Sequence, residues 1–244
     1  MSSKSTRVRV ATYNVHGWVG TDRRCDPDRT LGLIRRMGAK IVGLQEVKLP
    51  IPGQPAEAAS YLEHATGMEV VTGPTLFNKR GSYGNVLLSG FPVLSSRRFD
   101  LSYRHREPRG ALDVDIKLPG CVLRVIVTHL GLQGAERHWQ IKRLVEVITA
   151  KPSEHMVLMG DFNDWLFFSR AMRDIHDLLH SVPAPKSFPS RFPLLSLDRI
   201  WVRPATILVG IRPGRGRNAS KASDHLPVLA ELVLPKPQQM HQGP

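Results

Sequence analysis

The stretch Met156-Val157-Leu158-Met159-Gly160-Asp161-Phe162-Asn163-Asp164 decides how the chain is read. An apolar run passes through a glycine and ends in an acid, an amide and a second acid. That pattern reads as a buried strand whose last residues project from a sheet edge into a cleft. Asp161 and Asn163 stand two apart, so in extended backbone both point to the same side. An acid beside an amide is suited to holding a water and an anionic oxygen together. For GDFND alone, a surface turn built on Asn and Asp is the alternative.

Working outward, the same arrangement recurs. Arg7–Asn14 alternates, with Val8, Val10 and Thr12 on one side, and reads as an edge or half-buried strand ending in Asn14. Ile41–Leu44 is a continuous apolar run, with Glu46 expected just past its end. Val122–Thr128 leads into His129, and Leu197–Val202 carries Asp198. Ser223-Asp224-His225 precedes a last apolar strand ending near Leu234. If these strand ends share one edge, their polar residues converge. They then supply oxygen ligands for a hard cation, a histidine for a phosphoryl oxygen, and a histidine with an acid for proton transfer. Each residue also has an ordinary reading, as a turn, cap or strand-end charge.

Helices fall between these strands. Asp26 as N-cap and Pro27 at the first position open one with a Leu31, Ile34, Met37 stripe, and Gly38 closes it. Ala58, Tyr61, Leu62 and Ala65 recur at helical spacing up to Gly67. Gln133–Thr149 carries Ile141, Leu144, Val145 and Ile148, and Met172, Ile175, Leu178 and Leu179 mark another helix. Segments 50–55, Arg97–Arg109, 183–193 and Arg212–Arg217 read as loops or basic segments. Trp165–Phe168 is an aromatic cluster, either packing for the next helix or a lip against a base or lipid. Strands joined by short loops argue for a mixed α/β sheet system.

The 244 residues suit one large domain, over 7–234, with flexible tails at 1–6 and 235–244. No run approaches the roughly 20 apolar residues of a membrane span. The first ten residues lack an apolar core, so no secretory signal is expected. Two cysteines, Cys25 and Cys121, lack metal-ligand spacing and suit a reducing cytoplasm. A net charge of +13 predicts an anionic partner.

Eight stretches taken together resemble the endonuclease/exonuclease/phosphatase superfamily, in particular its small bacterial members. They are TYNVHG (12–17), LQEV (44–47), YGNVLLS (83–89), REPRGAL (106–112), THLG (128–131), GDFND (160–164), LDRIWV (197–202) and SDHLPV (223–228). They follow the family's order. The resemblance implies a four-layer α/β/β/α sandwich like that of deoxyribonuclease I, two packed mixed sheets flanked by helices. It implies a phosphoesterase dependent on Mg²⁺ or Mn²⁺. Asn14 and Glu46 would hold the metal, with Asp224 beside it. His129 and Asn163 would bind phosphate oxygens, and Asp161 would orient or deprotonate water. His225 would serve as acid, base or hydrogen-bond donor, its tautomer held by Asp198; the choice of base between Asp161 and His225 stays open. Arg106, Arg109, Asn85 and Tyr83 would contact the substrate phosphate. One departure is His16, where exonuclease III-like members often carry an acid. The bond is a phosphodiester or phosphomonoester; nucleic acid, phospholipid head groups with peripheral membrane contact, and phosphorylated metabolites compete as substrates, and a monomer is expected. A catalytically silent phosphate-binding module on the same fold is the alternative.

Overall fold

The computed structural model describes residues 5–50, 58–79, 81–165, 170–180, 182–216 and 218–235. Expectations for 51–55, 166–168, Arg217 and most of both tails fall outside them. In chain order the elements are β1 (Thr6–Asn14), α1 (Pro27–Met37), β2 (Ile41–Leu49), α2 (Ala58–Thr66), β3 (Glu69–Asn78), β4 (Gly81–Ser89), β5 (Val93–Asp100) and β6 (Gly110–Leu118). There follow β7 (Cys121–His129), α3 (Gly134–Ala150), β8 (Met156–Asp161), α4 (Arg170–Leu179), β9 (Asp198–Arg203), β10 (Leu208–Pro213), α5 (Ala219–Ala222) and β11 (Val228–Leu234).

Two mixed sheets result, ordered β10-β11-β1-β2-β4-β3 and β5-β6-β7-β8-β9. Their facing sides bury Val10, Ile41, Leu87, Val127, Met159 and Val228 in one core. Gly43 lets the sheets approach: a Cβ there would lie 2.9 Å from both Met159 Cε and Val127 Cγ2. On the outer face of the first sheet α1 buries Leu31, Ile34 and Met37 against Leu44 and Val86. On the outer face of the second, α3 and α4 bury Ile141, Leu144, Ile148 and Ile175 against Ile126, Leu158 and Trp201. These are the four layers expected, since each amphipathic helix covers one apolar sheet face.

Local signals place α1 and α3. Asp26 accepts from the Arg29 N–H at 2.9 Å, and Gly38 takes φ 61° just past the helix. In α3, Gln133 and Glu136 form a capping box. The other end of α3 is tied to the sheet by Arg124, which is fully buried. Its guanidinium forks onto Asp113 through two 2.9 Å bonds and donates to the Val147 and Ile148 carbonyls. Cations suit helix C-termini, and a forked pair satisfies a buried carboxylate.

The structure corrects several local expectations. β1 is no edge strand: it lies inside its sheet, antiparallel to β11 and parallel to β2. Its alternation survives because Arg9 lies along the surface and reaches Glu231 at 2.7 Å. β2 runs on through Glu46, which sits in a bulge between Leu44 and Val47 at φ 59°. Arg97–Asp100 is strand, an edge whose Arg97 pairs with Asp113 and Asp115 across β6. Arg212 and Pro213 end β10 rather than open a loop.

Candidate active site

β1, β2, β7 and β8 all end at the same edge of the sheet pair, and β9 begins there. Asp161, the last residue of β8, is the hub. Gly160 places it: a Cβ on Gly160, at φ 157°, would come 1.9 Å from the Thr128 carbonyl oxygen, so only glycine keeps β8 paired to β7 here. Asp161 Oδ1 accepts from the Asn163 backbone N–H at 2.9 Å. Asp161 Oδ2 accepts from Asn14 Nδ2 at 3.0 Å. His129 Nε2 lies 3.6 Å and His225 Nε2 3.7 Å from the same oxygen. The GDFND side chains therefore do not meet through extended backbone. The strand stops at Asp161, and Asn163 turns back at φ 49° on the carboxylate's own hydrogen bond.

The two imidazoles differ. His225 donates from Nδ1 to Asp198 Oδ2 at 2.8 Å, and Asp198 is fully buried. Burial alone would push the His225 pKa down, but the Asp198 and Asp161 carboxylates outweigh it and raise it to about 10. The Phe188 ring packs against this imidazole, with centroids 4.8 Å apart. His129 faces Arg109, whose Nη1 lies 2.9 Å from Nδ1. Asn163 Nδ2 lies 3.1 Å from Nε2, and a neutral imidazole accepts at one nitrogen alone; the guanidinium, which only donates, takes Nδ1 and leaves the ring proton to Nε2, 3.6 Å from Asp161. Burial, then the Arg109 and His225 charges, lower the His129 pKa to about 3 against the pull of Asp161. At neutral pH one ring is a cation and the other is neutral.

Seven of the expected residues thus meet by direct contact: Asn14, Glu46, His129, Asp161, Asn163, Asp198 and His225. Asn14 Nδ2 bridges Glu46 Oε1 and Asp161 Oδ2, both at 3.0 Å, while its oxygen accepts from the His16 N–H at 2.9 Å. Its nitrogen thus links the two carboxylates, and its oxygen faces the His16 backbone. Tyr83 bonds to Glu46, and its pKa is raised by burial and then by Glu46 and Glu107. It supports Glu46 at the cleft wall. Asp224 turns toward His16, 3.7 Å from Nδ1, and toward Ser223 Oγ at 3.3 Å.

Three residues expected to contact phosphate have protein partners here. Arg109 is 8% exposed and points at His129 and Glu107, so it positions an imidazole. Arg106 is exposed and donates to Gln133 at 2.7 Å. Asn85 is buried and donates to the Gly110 carbonyl, which Thr128 also holds. It clamps the second sheet to the first.

Sequence reading assigned no role to several supporting groups. Ser223 Oγ donates to the Asn14 carbonyl at 2.8 Å and accepts from the His225 N–H, joining the two motifs. Gln140 Oε1 accepts from the Gly131 N–H and Glu136 takes the Gln133 N–H, fixing the loop after His129. Arg137 lies 3.6 Å from the buried Asp164 and over the Trp165 ring. Their signal was present: Glu136, Arg137 and Gln140 are charged or polar on the turn of α3 that should be buried.

A hard divalent cation fits one point of this site. Glu46 and Asp161 aim carboxylate oxygens at a single amide nitrogen, a concentration of hard oxygen donors that Mg²⁺-type ions accept. Asp161, Asp198 and His225 also offer atoms within 4.8 Å of one another. That trio suits a cation less well, because Asp198 is committed to Nδ1 of a protonated ring.

Comparison with known proteins agrees with this fold. Over 249 aligned residues the chain is 31% identical to the uncharacterized protein YbhP of Escherichia coli K12, covering 93% of this chain and 96% of YbhP. An endonuclease/exonuclease/phosphatase from Beutenbergia cavernae superposes with a TM-score of 0.77 at 23% identity, covering 94% of this chain and 72% of the other. The mannosyl-6-phosphatase Bt3783 of Bacteroides thetaiotaomicron superposes at 0.69 with 18% identity, covering 93% of this chain and 100% of that one. Among the described residues no helix is long and apolar enough to cross a membrane. The model of the Endonuclease/Exonuclease/phosphatase family matches residues 11–225, and with the strand-edge cluster of acids and imidazoles this makes the chain a member of that family.

Proposed function

We propose that the protein is a Mg²⁺- or Mn²⁺-dependent phosphoesterase that hydrolyses a phosphodiester or phosphomonoester bond by attack of water. The observation that carries this reading is the pair of imidazoles on either side of Asp161, one cationic and one neutral. Acid–base work requires partners whose environments drive their pKa values apart.

Glu46 and the Asn14 side chain would hold the cation, with Asp161 facing the same point. Bound there, a divalent cation supplies charge stabilisation to the phosphoryl and leaving oxygens. His225 already carries its second proton, so it donates, and Asp161 is the group free to orient water and accept its proton. The leaving oxygen receives a hydrogen bond or proton from His225 Nε2. Asp198 keeps that ring in register through Nδ1. His129 Nε2–H and the Asn163 amide present donors to the non-bridging oxygens, preorganised by Arg109 and by the Leu130 carbonyl.

The test is hydrolysis of bis-p-nitrophenyl phosphate, p-nitrophenyl phosphate, plasmid DNA and a phospholipid micelle, each with Mg²⁺, Mn²⁺ or EDTA. Turnover abolished by EDTA and reduced about 10²–10⁴-fold in His225→Ala is the expected result. Phosphate binding without turnover on any substrate would move the protein to a silent binding module.

A further inference from the structure

The edge that carries the site is also where large apolar side chains stand in solvent. Phe77, at the hairpin end of β3, is 74% exposed and Phe192 is 76% exposed. Leu132, Trp165 and Leu194 are exposed as well. All five lie in strand ends or loops at the edge where β1, β2, β7 and β8 terminate. Among the described residues the remaining exposed large hydrophobics, Leu94, Val122 and Val209, are aliphatic and sit near the opposite ends of β5, β7 and β10. Every strongly exposed aromatic among the described residues thus lies at the sheet edge that carries the cluster.

Their placement surrounds that cluster. Phe77 belongs to the outermost strand of the first sheet. Leu132 and Trp165 follow β7 and β8 of the second sheet, and Arg137 joins them by bonding the Leu132 carbonyl and lying over the Trp165 ring. Phe192 lies in the loop whose Ser190 N–H donates to the Asp224 carbonyl. Apolar tips on three sides of a cleft match a plane better than a thread of nucleic acid, and aliphatic tips such as Leu132 and Leu194 have no base-stacking use.

Cations accompany these tips. Arg106 is fixed to Gln133, next to Leu132. Arg191 precedes Phe192, and Arg104 lies exposed on the Tyr103 ring. The rim acids Asp22 and Glu107 are engaged by Arg29 and Arg109. We propose that this edge docks on the surface of an anionic phospholipid bilayer, with the five apolar side chains entering the headgroup region and the rim arginines meeting lipid phosphates. Apolar insertion and basic attraction together are what interfacial binding requires. This names the substrate side of the phosphoesterase reading: it rests on that reading only in placing the scissile phosphoester among lipid headgroups, and docking itself is measured without catalysis.

The experiment is co-sedimentation of the full chain, in EDTA, with vesicles of phosphatidylcholine alone or with about 30 mol% phosphatidylglycerol. Wild type is compared with the double variant Leu132→Ser/Phe192→Ser, with Trp165→Phe, and with Asp161→Asn. Both positions of the double variant are exposed, and circular dichroism verifies the fold. The expected result is binding at least tenfold stronger to the anionic vesicles, a tenfold or greater loss in the double variant, and no loss in Asp161→Asn. A blue shift of tryptophan emission on binding, absent in Trp165→Phe, locates the contact. The proposal is overturned if anionic vesicles are not bound, if the double variant binds as wild type does, or if duplex DNA is captured while vesicles are not. Turnover of soluble phosphoesters without vesicle binding overturns docking and leaves the phosphoesterase reading standing. Vesicle binding with no turnover on any substrate does the reverse.

Discussion

His129 and His225 occupy mirrored places in one cleft and have opposite electrostatic fates. Both are buried, and both aim Nε2 at Asp161 Oδ2, from 3.6 Å and 3.7 Å. What separates them is the group behind Nδ1. Asp198 stands behind His225 and, with Asp161, makes it a cation; Arg109 stands behind His129 and adds to the burial that keeps it neutral. Burial disfavours the charged form of both. The lesson is that the two rings are set apart by partners one residue further out, Asp198 from the other sheet for His225 and Arg109 from beside the neighbouring strand for His129.

Breaking the charged half should have the largest effect. His225→Ala removes the proton donor, and kcat is expected to fall about 10²–10⁴-fold, read by steady-state kinetics at saturating Mg²⁺ or Mn²⁺. Asp198→Asn leaves a ring but exchanges the carboxylate for an amide. The His225 pKa should then move back toward its ordinary value, with a smaller loss of kcat and an alkaline limb shifted to lower pH.

The neutral half is sharpened by Arg109→Met. Nδ1 then loses its donor and either nitrogen can hold the proton. A 10–100-fold drop in activity is expected, as for other groups that orient a functional imidazole, with partial recovery in Arg109→Lys.

The pH dependence of stability has a definite sign for each ring. His129 is depressed to about 3, so between about 6.5 and 3 the unfolded chain binds the extra proton and stability falls as pH falls. His225 is raised to about 10, so its contribution is fully present below about 6.5 and is lost as pH rises through about 10. In thermal melts, wild type should lose stability relative to His129→Gln on going from pH 7 to pH 4, the variant being less acid-sensitive.

Away from the site, Arg124→Met should cost about 3–5 kcal/mol in denaturant unfolding, because it strands the buried Asp113 and frees the end of α3. Its effect on kcat should be the smallest of this set.

The elements were legible because they follow from hydrophobic periodicity, while their stacking in four layers was what the family resemblance implied. β8 reads as an apolar run, α3 as a stripe, and α1 as a capped helix with a glycine stop. Edge strands were harder. β5 carries Ser95, Ser96, Arg97 and Arg98, whose partners lie across β6 and β3, so its polar sequence reads as loop. In the site, residue identity at strand ends was enough for Asp161 and His129, while the His225–Asp198 pair was what the family resemblance implied. Orientation was not. Asn163 and Glu46 reach their places through positive φ, and no spacing rule reports that. Arg109 and Asn85 look like phosphate contacts in sequence, yet each spends its polar group holding another segment. Such partners are separated by tens of residues and meet only when the sheets pack.

The most direct measurement is a long-range ¹H–¹⁵N NMR titration of the two histidines in the metal-free protein. At pH 7 the account predicts His225 with both ring nitrogens protonated and His129 neutral with its proton on Nε2. Both rings titrating together near 6.5, or His129 carrying its proton on Nδ1, would contradict it.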